Sequence, residues 1–296
     1  ATGYISFDVN VTTSLSVYQS VPVTNSCIAL FKDFDARSHA PLNSWGTANS
    51  STIYTSNQPD WYVSTLVHEI GHQLGLEHDG APHKEYFPGV EEYDWNSYMG
   101  NTWYGDLLQY SKGEYTGSTN FQDDFAVINQ YIPYRNKDVN STKALQFAAD
   151  EKTVELQENI ASVEQNIDED VYTFSVTEAK ILNLKIEPLE YRTMLDIDAR
   201  IENSKGEIIA QSNVGLSRLA LFENLLLDEL GTYKLIIKGG AEGTPEWGFS
   251  NYGSVGVYGI SGEVRNLMTN EIQLVGLLPF EKVCNKYTPA LKIQNK

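Results

Sequence analysis

The chain is poor in cysteine, methionine and histidine and short of positive charge. Its 296 residues include 2 Cys, 3 Met and 5 His, and 21 Lys and Arg stand against 39 Asp and Glu. Two cysteines cannot staple a small loop-rich scaffold, so the fold has to rest on a hydrophobic core. Cys27 and Cys284 either pair, tying the C-terminal end to the N-terminal part, or stay as two thiols; spacing does not choose between these. A net charge of −18 and a pI near 4.6 leave no basic footprint for nucleic acid and disfavour an anionic membrane surface. No apolar run approaches bilayer-spanning length, so membrane insertion is not expected. Ala1 to Tyr4 open a strand-like segment rather than a signal peptide, so a secreted protein would be present here in processed form.

What remains is the composition of a folded protein: 41% hydrophobic and 11% aromatic residues, in a chain long enough for two ordinary domains. Asn10-Val11-Thr12, Asn49-Ser50-Ser51 and Asn140-Ser141-Thr142 form sequons, which makes Asn10, Asn49 and Asn140 candidate glycosylation sites and favours an extracellular setting.

Three of the five histidines fall in one stretch, His68-Glu69-Ile70-Gly71-His72-Gln73-Leu74-Gly75-Leu76-Glu77-His78-Asp79. Chance alone would place these fixed residues together in a chain of this length with a probability on the order of 1 in 100,000. His68 and His72 are four apart, so on a helix their rings share a face and can share a metal ion. Glu69 can reach a water on that ion without being a ligand. Gly75 can end the helix in the left-handed conformation, after which the chain turns back and offers His78 as a third nitrogen. Three neutral ligands and one open position make a catalytic zinc site rather than a structural one. Val63, Val67, Ile70 and Leu74 form an apolar stripe, and with Asp60 as N-cap they predict a helix over 60–74. That stripe should pack on a core while the ligands face a cleft. His39 and His83 fit no ligand spacing and read as surface residues.

The extended motif resembles that of the metzincin clan of zinc endopeptidases. Met99, in Asn96-Ser97-Tyr98-Met99-Gly100, matches the methionine turn that the clan places beneath the zinc ligands. The plain alternative is an ordinary core methionine. The resemblance also implies that Asp79 is a buried structural carboxylate. One departure is visible: some families of the clan carry a tyrosine two residues after the methionine, where this chain has Asn101, and Tyr98 and Tyr104 are out of register. The implied reaction is hydrolysis of a peptide bond in a protein or peptide substrate. Zinc lowers the pKa of its water to about 7, and Glu69 acts as general base toward the water and then as acid toward the leaving amine.

Phe121, Phe125, Ile128 and Ile132, with Thr119 or Asn120 as cap and Pro133 as stop, predict a second long helix. Leu107 to Tyr115 is similar to secreted metzincin-like enzymes of bacterial type. Ahead of His68 the chain offers strands only near Tyr4–Val11, Cys27–Phe31 and Ser51–Tyr54 and no clear first helix, so the N-terminal subdomain is minimal or incomplete. Residues 135–158 turn polar and read as a linker with an entry strand. Period-two alternation then runs through Val171–Val176, Ile181–Ile186, Leu195–Ala199, Ile208–Ala210, Leu219–Phe222, Tyr233–Ile237 and Val257–Ser261, the pattern of an antiparallel sandwich.

Asp168-Glu169-Asp170-Val171-Tyr172-Thr173-Phe174, Leu195-Asp196-Ile197, Gly206 to Ala210 and Gly231-Thr232-Tyr233 resemble the pre-peptidase C-terminal (PPC) domain, a jelly-roll-like sandwich appended to many secreted peptidases. The resemblance implies secretion, maturation or substrate binding. Asp168, Asp170, Asp196 and Asp198 could supply oxygen ligands for calcium, or they are turn and outward-facing strand acids.

The expected class is therefore α+β: a metzincin-like catalytic domain over 1–134, a linker over 135–158, an all-β sandwich over 159–266 and a C-terminal extension over 267–296. The expected function is a secreted zinc endopeptidase. One alternative is an extracellular binding or structural protein that keeps a zinc-stapled fold without turnover; another is a zinc hydrolase acting on something other than peptides.

Overall fold

In a computed structural model, the structure describes residues 29–33, 38–47, 51–55, 59–102, 105–133, 142–145, 154–155, 161–162, 168–189, 193–244, 248–267 and four short strands beyond 273. The strand expected at Tyr4–Val11, both cysteines, the three sequon asparagines and Tyr104 lie outside these residues.

The chain is mostly β-sheet with few helices. In the N-terminal part, β1 (Ala29–Asp33) and β2 (Ser51–Thr55) pair in parallel, and α1 (Pro59–Leu74) runs alongside β2. After α1, β3 (Trp95–Ser97) and β4 (Leu107–Gln109) pair in parallel, followed by α2 (Asp124–Ile128). No helix among the described residues is long and apolar enough to cross a membrane.

The second helix is much shorter than its periodicity suggests. Asp123, in an extended conformation, caps it by accepting from Ala126 N at 2.9 Å. Ahead of it, Asn120 Oδ1 accepts from Gln122 N at 2.9 Å, a local bond that competes with helix formation. Phe125, Ile128 and Ile132 are buried, but Phe121 is 75% exposed. The stripe on α1 is also only partly inward. Val63 is 44% exposed, whereas Ser64, His68, Glu69, Gln73 and Leu74 are buried. Gly71 lets the Met99 side chain lie directly against the helix: a Cβ there would stand 2.6 Å from Met99 Sδ.

The second half is a sandwich of two sheets. One runs β11 (Ile208–Ser212), β10 (Ile197–Glu202), β13 (Gly231–Gly239), β8 (Asp170–Val176) and β5 (Thr142–Ala144). The other runs β12 (Ala220–Leu227), β9 (Lys180–Pro188), β14 (Val257–Asn266) and β6 (Val154–Glu155), with β7 (Ala161–Ser162) also on β14. Alternate residues of facing strands fill the space between them: Tyr172 and Phe174, Ile197 and Ile201, Tyr233 and Leu235 from the first sheet, and Leu182 and Leu184, Phe222, Tyr258 and Ile260 from the second. That period of two is why the strands were legible in sequence. β5 and β6 come from the stretch expected to be a linker. They join by backbone pairing at sheet edges, which needs no side-chain periodicity. Leu274–Leu277 pairs with Leu291–Ile293, and Glu281–Val283 pairs with Lys286–Thr288.

The acids of the sandwich are not all outward-facing. Asp168, Asp170 and Asp196 are buried. Asp170 Oδ2 accepts from Tyr258 Oη at 2.7 Å, and Tyr258 Oη lies 3.0 Å from Tyr172 Oη. Asp198 meets Lys238 at 3.4 Å. The reason for burial is placement on the inward register: Asp170 precedes Tyr172 on the same face of β8. The four acids do not gather into a common metal cradle; among the described residues only a histidine cluster does so.

The halves share a core. Met194, Tyr252 and Val255 pack with Leu76, Met99, Leu108, Phe125 and Ile128. Tyr252 Oη accepts from Phe125 N at 2.8 Å and donates to Asp123 Oδ1 at 2.7 Å, and Gln109 Nε2 donates to Met194 O at 2.6 Å. A side chain at Gly253 would come within 2.6 Å of Gln109 Cβ and Tyr110 O, so the approach requires glycine.

Two outcomes follow. Tyr258→Phe strips the buried hydroxyl that bridges Asp170 and Tyr172 and should cost about 1–3 kcal/mol in urea unfolding; parent-like stability would contradict the bridge. Burial pushes Asp196 up from 3.8 to about 6. Between those values the folded state holds more protons than the unfolded chain, so this group's contribution to stability falls as pH rises from about 4 to about 6. Asp196→Asn should remove that decline, on the order of 2 kcal/mol across the window, in denaturation midpoints compared from pH 4 to 7. Parallel curves for parent and variant would contradict the shift.

Candidate metal centre

α1 ends where Gly75 takes φ +104°. Leu76 N donates to Gly71 O at 2.9 Å and Gly75 N to His72 O at 3.0 Å, the paired bonds of a Schellman cap. The bend swings His78 back toward His68 and His72. His72 Nε2 lies 3.1 Å from His68 Nε2 and 3.0 Å from His78 Nε2.

The other ring nitrogens fix the tautomers. His68 Nδ1 meets Tyr98 O at 2.7 Å and His72 Nδ1 meets Leu76 O at 2.7 Å. A carbonyl can only accept, so each Nδ1 carries the proton and each Nε2 presents a lone pair. His78 Nδ1 donates to Glu85 Oε1 at 3.0 Å. Burial drives the pKa of His68 down to about 3, with His72 adding to the effect, and burial also lowers His72 and His78. Neutral imidazoles are the ligating form.

Three lone pairs aimed at one another repel unless a cation lies between them. Tetrahedral ligands at 2.0–2.1 Å from zinc stand roughly 3.3 Å apart, close to the separations seen here. The triad His68, His72 and His78 could hold a metal ion, its ligand atoms all lying within 4.8 Å of one another. Glu69, beside the first ligand, is 4% exposed. Burial raises its pKa to about 7; a cation on the neighbouring rings would pull it back down.

Met99 sits under this bend. Gly100 N donates to Ser97 O at 3.0 Å and Met99 N to Ser97 Oγ at 3.0 Å, so residues 97–100 form a 1,4-turn with a fully buried methionine inside it. The same turn offers Tyr98 O to His68, and its Met99 O accepts from Asp79 N at 2.8 Å. One turn therefore braces both ends of the ligand set.

Asp79 is fully buried. Its Oδ2 accepts from Ser97 Oγ and from Ser111 Oγ, the latter at 2.8 Å. Ser111 N donates to Asp124 Oδ2 at 3.0 Å. Burial raises the pKa of both acids. Asp79 is thus hydrogen-bonded to the turn and to Ser111, just past β4, and is not part of the histidine cluster.

His39 and His83 are exposed and outside the cluster. Asn101 O accepts from Asn96 Nδ2 at 2.6 Å. A cavity of about 490 Å³ is walled by Pro88, Trp95, Asn96 and Asn101, among others, so the segment flanking Met99 also borders open space. Two residues escaped sequence reasoning. Glu85 binds the third histidine, and the Tyr86 ring lies 4.3 Å from that of His78 and 6.1 Å from that of His68. No spacing rule connects a ligand with a carboxylate seven residues later in a loop.

No protein-family model and no curated relative matches the chain. Among solved structures it is similar to the periplasmic lysozyme inhibitor PliG of Aeromonas hydrophila, an inhibitor of g-type lysozyme, at 13% identity and a TM-score of 0.30. That match covers 44% of this chain and 100% of the other. It is also similar to the pre-peptidase C-terminal domain of a collagenase from Bacillus anthracis, at 16% identity and a TM-score of 0.28, over 44% of this chain and 100% of that one. Both likenesses span less than half of the chain, and the functional reading rests on the site instead.

If Met99 fills the space beneath Gly71, Met99→Ala should cost about 2–5 kcal/mol by cavity formation and Met99→Leu less than about 1.5 kcal/mol, read from denaturant midpoints. Equal, small losses for both would show that the side chain is not a packing element of the site.

Proposed function

We propose that the chain is a secreted zinc-dependent endopeptidase, with His68, His72 and His78 as ligands and Glu69 as the proton-transfer group. The observation that carries the reading is the convergence of three neutral Nε2 atoms, together with a buried carboxylate on the residue that follows the first of these histidines. A protein that used metal only as a staple would need the three rings and gain nothing from Glu69. The nitrogen-only donor set suits zinc, and three protein ligands leave a coordination position open.

Zinc at this position would supply Lewis acidity toward a scissile carbonyl and acidify a water. With such an ion held by His68, His72 and His78, Glu69 would be the group that accepts a proton from the attacking water and returns it to the departing amine as the C–N bond breaks. Its burial raises its proton affinity and a bound cation would oppose that rise, so that it could both take and return a proton. The turn around Met99 and the carboxylate of Asp79 keep the rings from drifting. Secretion is supported by the sequons, the acidic surface charge and the sandwich partner.

The test pairs a quenched-peptide library with metal analysis. The parent should cleave peptides, stop on chelation and recover with zinc. Glu69→Ala should retain zinc at parental stoichiometry and lose roughly 10²–10⁴-fold or more in cleavage. Stoichiometric zinc without peptide cleavage by the parent would instead support the non-catalytic reading, and a Glu69→Ala variant cleaving at the parental rate would remove the assigned role.

A further inference from the structure

The three ligands are not held alike. His68 and His72 each donate Nδ1–H to a backbone carbonyl on a fixed element: Tyr98 in the 97–100 turn and Leu76 in the helix cap. His78 donates instead to a side chain, Glu85 Oε1 at 3.0 Å. It is also the ligand furthest from regular structure, three residues beyond Gly75.

The segment that presents Glu85 is built. Ala81 N donates to Lys84 O at 3.0 Å and Lys84 N to Ala81 O at 2.9 Å, closing a tight hairpin. His83 takes φ +63° at its tip. One end is fixed by Tyr115 Oη, which donates to Gly80 O at 3.0 Å. The other is fixed by Phe87 N, which donates to Asp79 O at 2.7 Å, and by the Phe87 ring, buried and stacked on Tyr115 at 3.9 Å. A Cβ on Gly80 would stand 2.4 Å from Thr119 Oγ1 and 3.0 Å from Lys84 O, so the hairpin lies flat against its neighbours. Between these anchors Glu85 reaches Nδ1 of His78 and Tyr86 sets its ring against the imidazole.

We propose that the Ala81–Tyr86 hairpin is the positioning element for the third metal ligand, with Glu85 as its polar contact. A carboxylate on Nδ1–H keeps the proton there, aims Nε2 at the other two rings and makes that nitrogen a stronger donor to a cation. Glu85 is a positioning residue and touches neither substrate nor ion. The inference rests on the proposal that the triad binds a metal and concerns what sets its affinity.

Glu85 is 64% exposed. An exposed pair of this kind adds little to folding, so its role must show in metal affinity. Glu85→Ala, Glu85→Gln and the exposed control Glu92→Gln would be titrated with zinc against a chromophoric chelator at fixed pH. Circular dichroism and the Tm of the metal-free proteins would be recorded alongside. Glu85→Ala should weaken zinc binding roughly 10–100-fold with an unchanged metal-free Tm. Glu85→Gln, which keeps an acceptor but loses the charge, should fall between it and the parent. Glu92→Gln should match the parent. Glu85→Ala within twofold of the parent overturns the inference, as does Glu92→Gln weakening zinc as much as Glu85→Ala. If the parent binds zinc, that result leaves the metal centre standing. A parent that binds none removes both.

Discussion

Everything at the candidate site depends on one constraint: each imidazole has its Nδ1 proton committed elsewhere, so that three Nε2 lone pairs are driven together. Repulsion among them has to be opposed by rigid structure. The rigid structure comes from two backbone devices. The Schellman cap at Gly75 supplies Leu76 O and aims His78; the 97–100 turn supplies Tyr98 O and anchors Asp79 through Met99 O. Glu69 follows His68 on α1 and, like His68, is buried. The chemistry proposed for the site is a consequence of that arrangement rather than of any single residue.

The second half contributes more than an appended domain would. Tyr252 bonds both the backbone of Phe125 and the carboxylate of Asp123, where α2 begins. Met194 and Val255 belong to the same cluster as Met99. Gln109 joins Trp95 Nε1 to Met194 O, and Arg218 Nη2 donates to Tyr93 O at 2.8 Å. Loosening the sandwich should therefore be felt in the packing below the histidine cluster, since cores transmit strain.

The sequence revealed what depends on short spacing. The histidine cluster, the glycine that ends α1 and the 97–100 turn lie within local patterns whose geometry is fixed by the backbone. The sandwich strands were legible because inward and outward positions alternate. What depended on partners distant in sequence was not. Phe121 continued a helical pattern but faces solvent, because Asn120 commits its side chain to Gln122 N and the helix is capped only at Asp123. Val63 continued the stripe of α1 and is exposed, whereas Val67 and Ile70 of the same stripe pack on the cluster that holds Met99. Asp170 and Asp196 looked like solvated acids; burial became visible only with Tyr258 and the inter-sheet register. The contact of Glu85 with His78 required the path of a hairpin that no periodicity encodes.

The central claim is an ion held by three imidazoles with one position left open. X-ray absorption at the zinc edge of the purified, zinc-loaded protein tests it most directly. The account predicts three imidazole nitrogens at about 2.0–2.1 Å with one further light oxygen scatterer. A sulfur scatterer, a fourth protein ligand closing the sphere, or a preparation that takes up no stoichiometric zinc would contradict it.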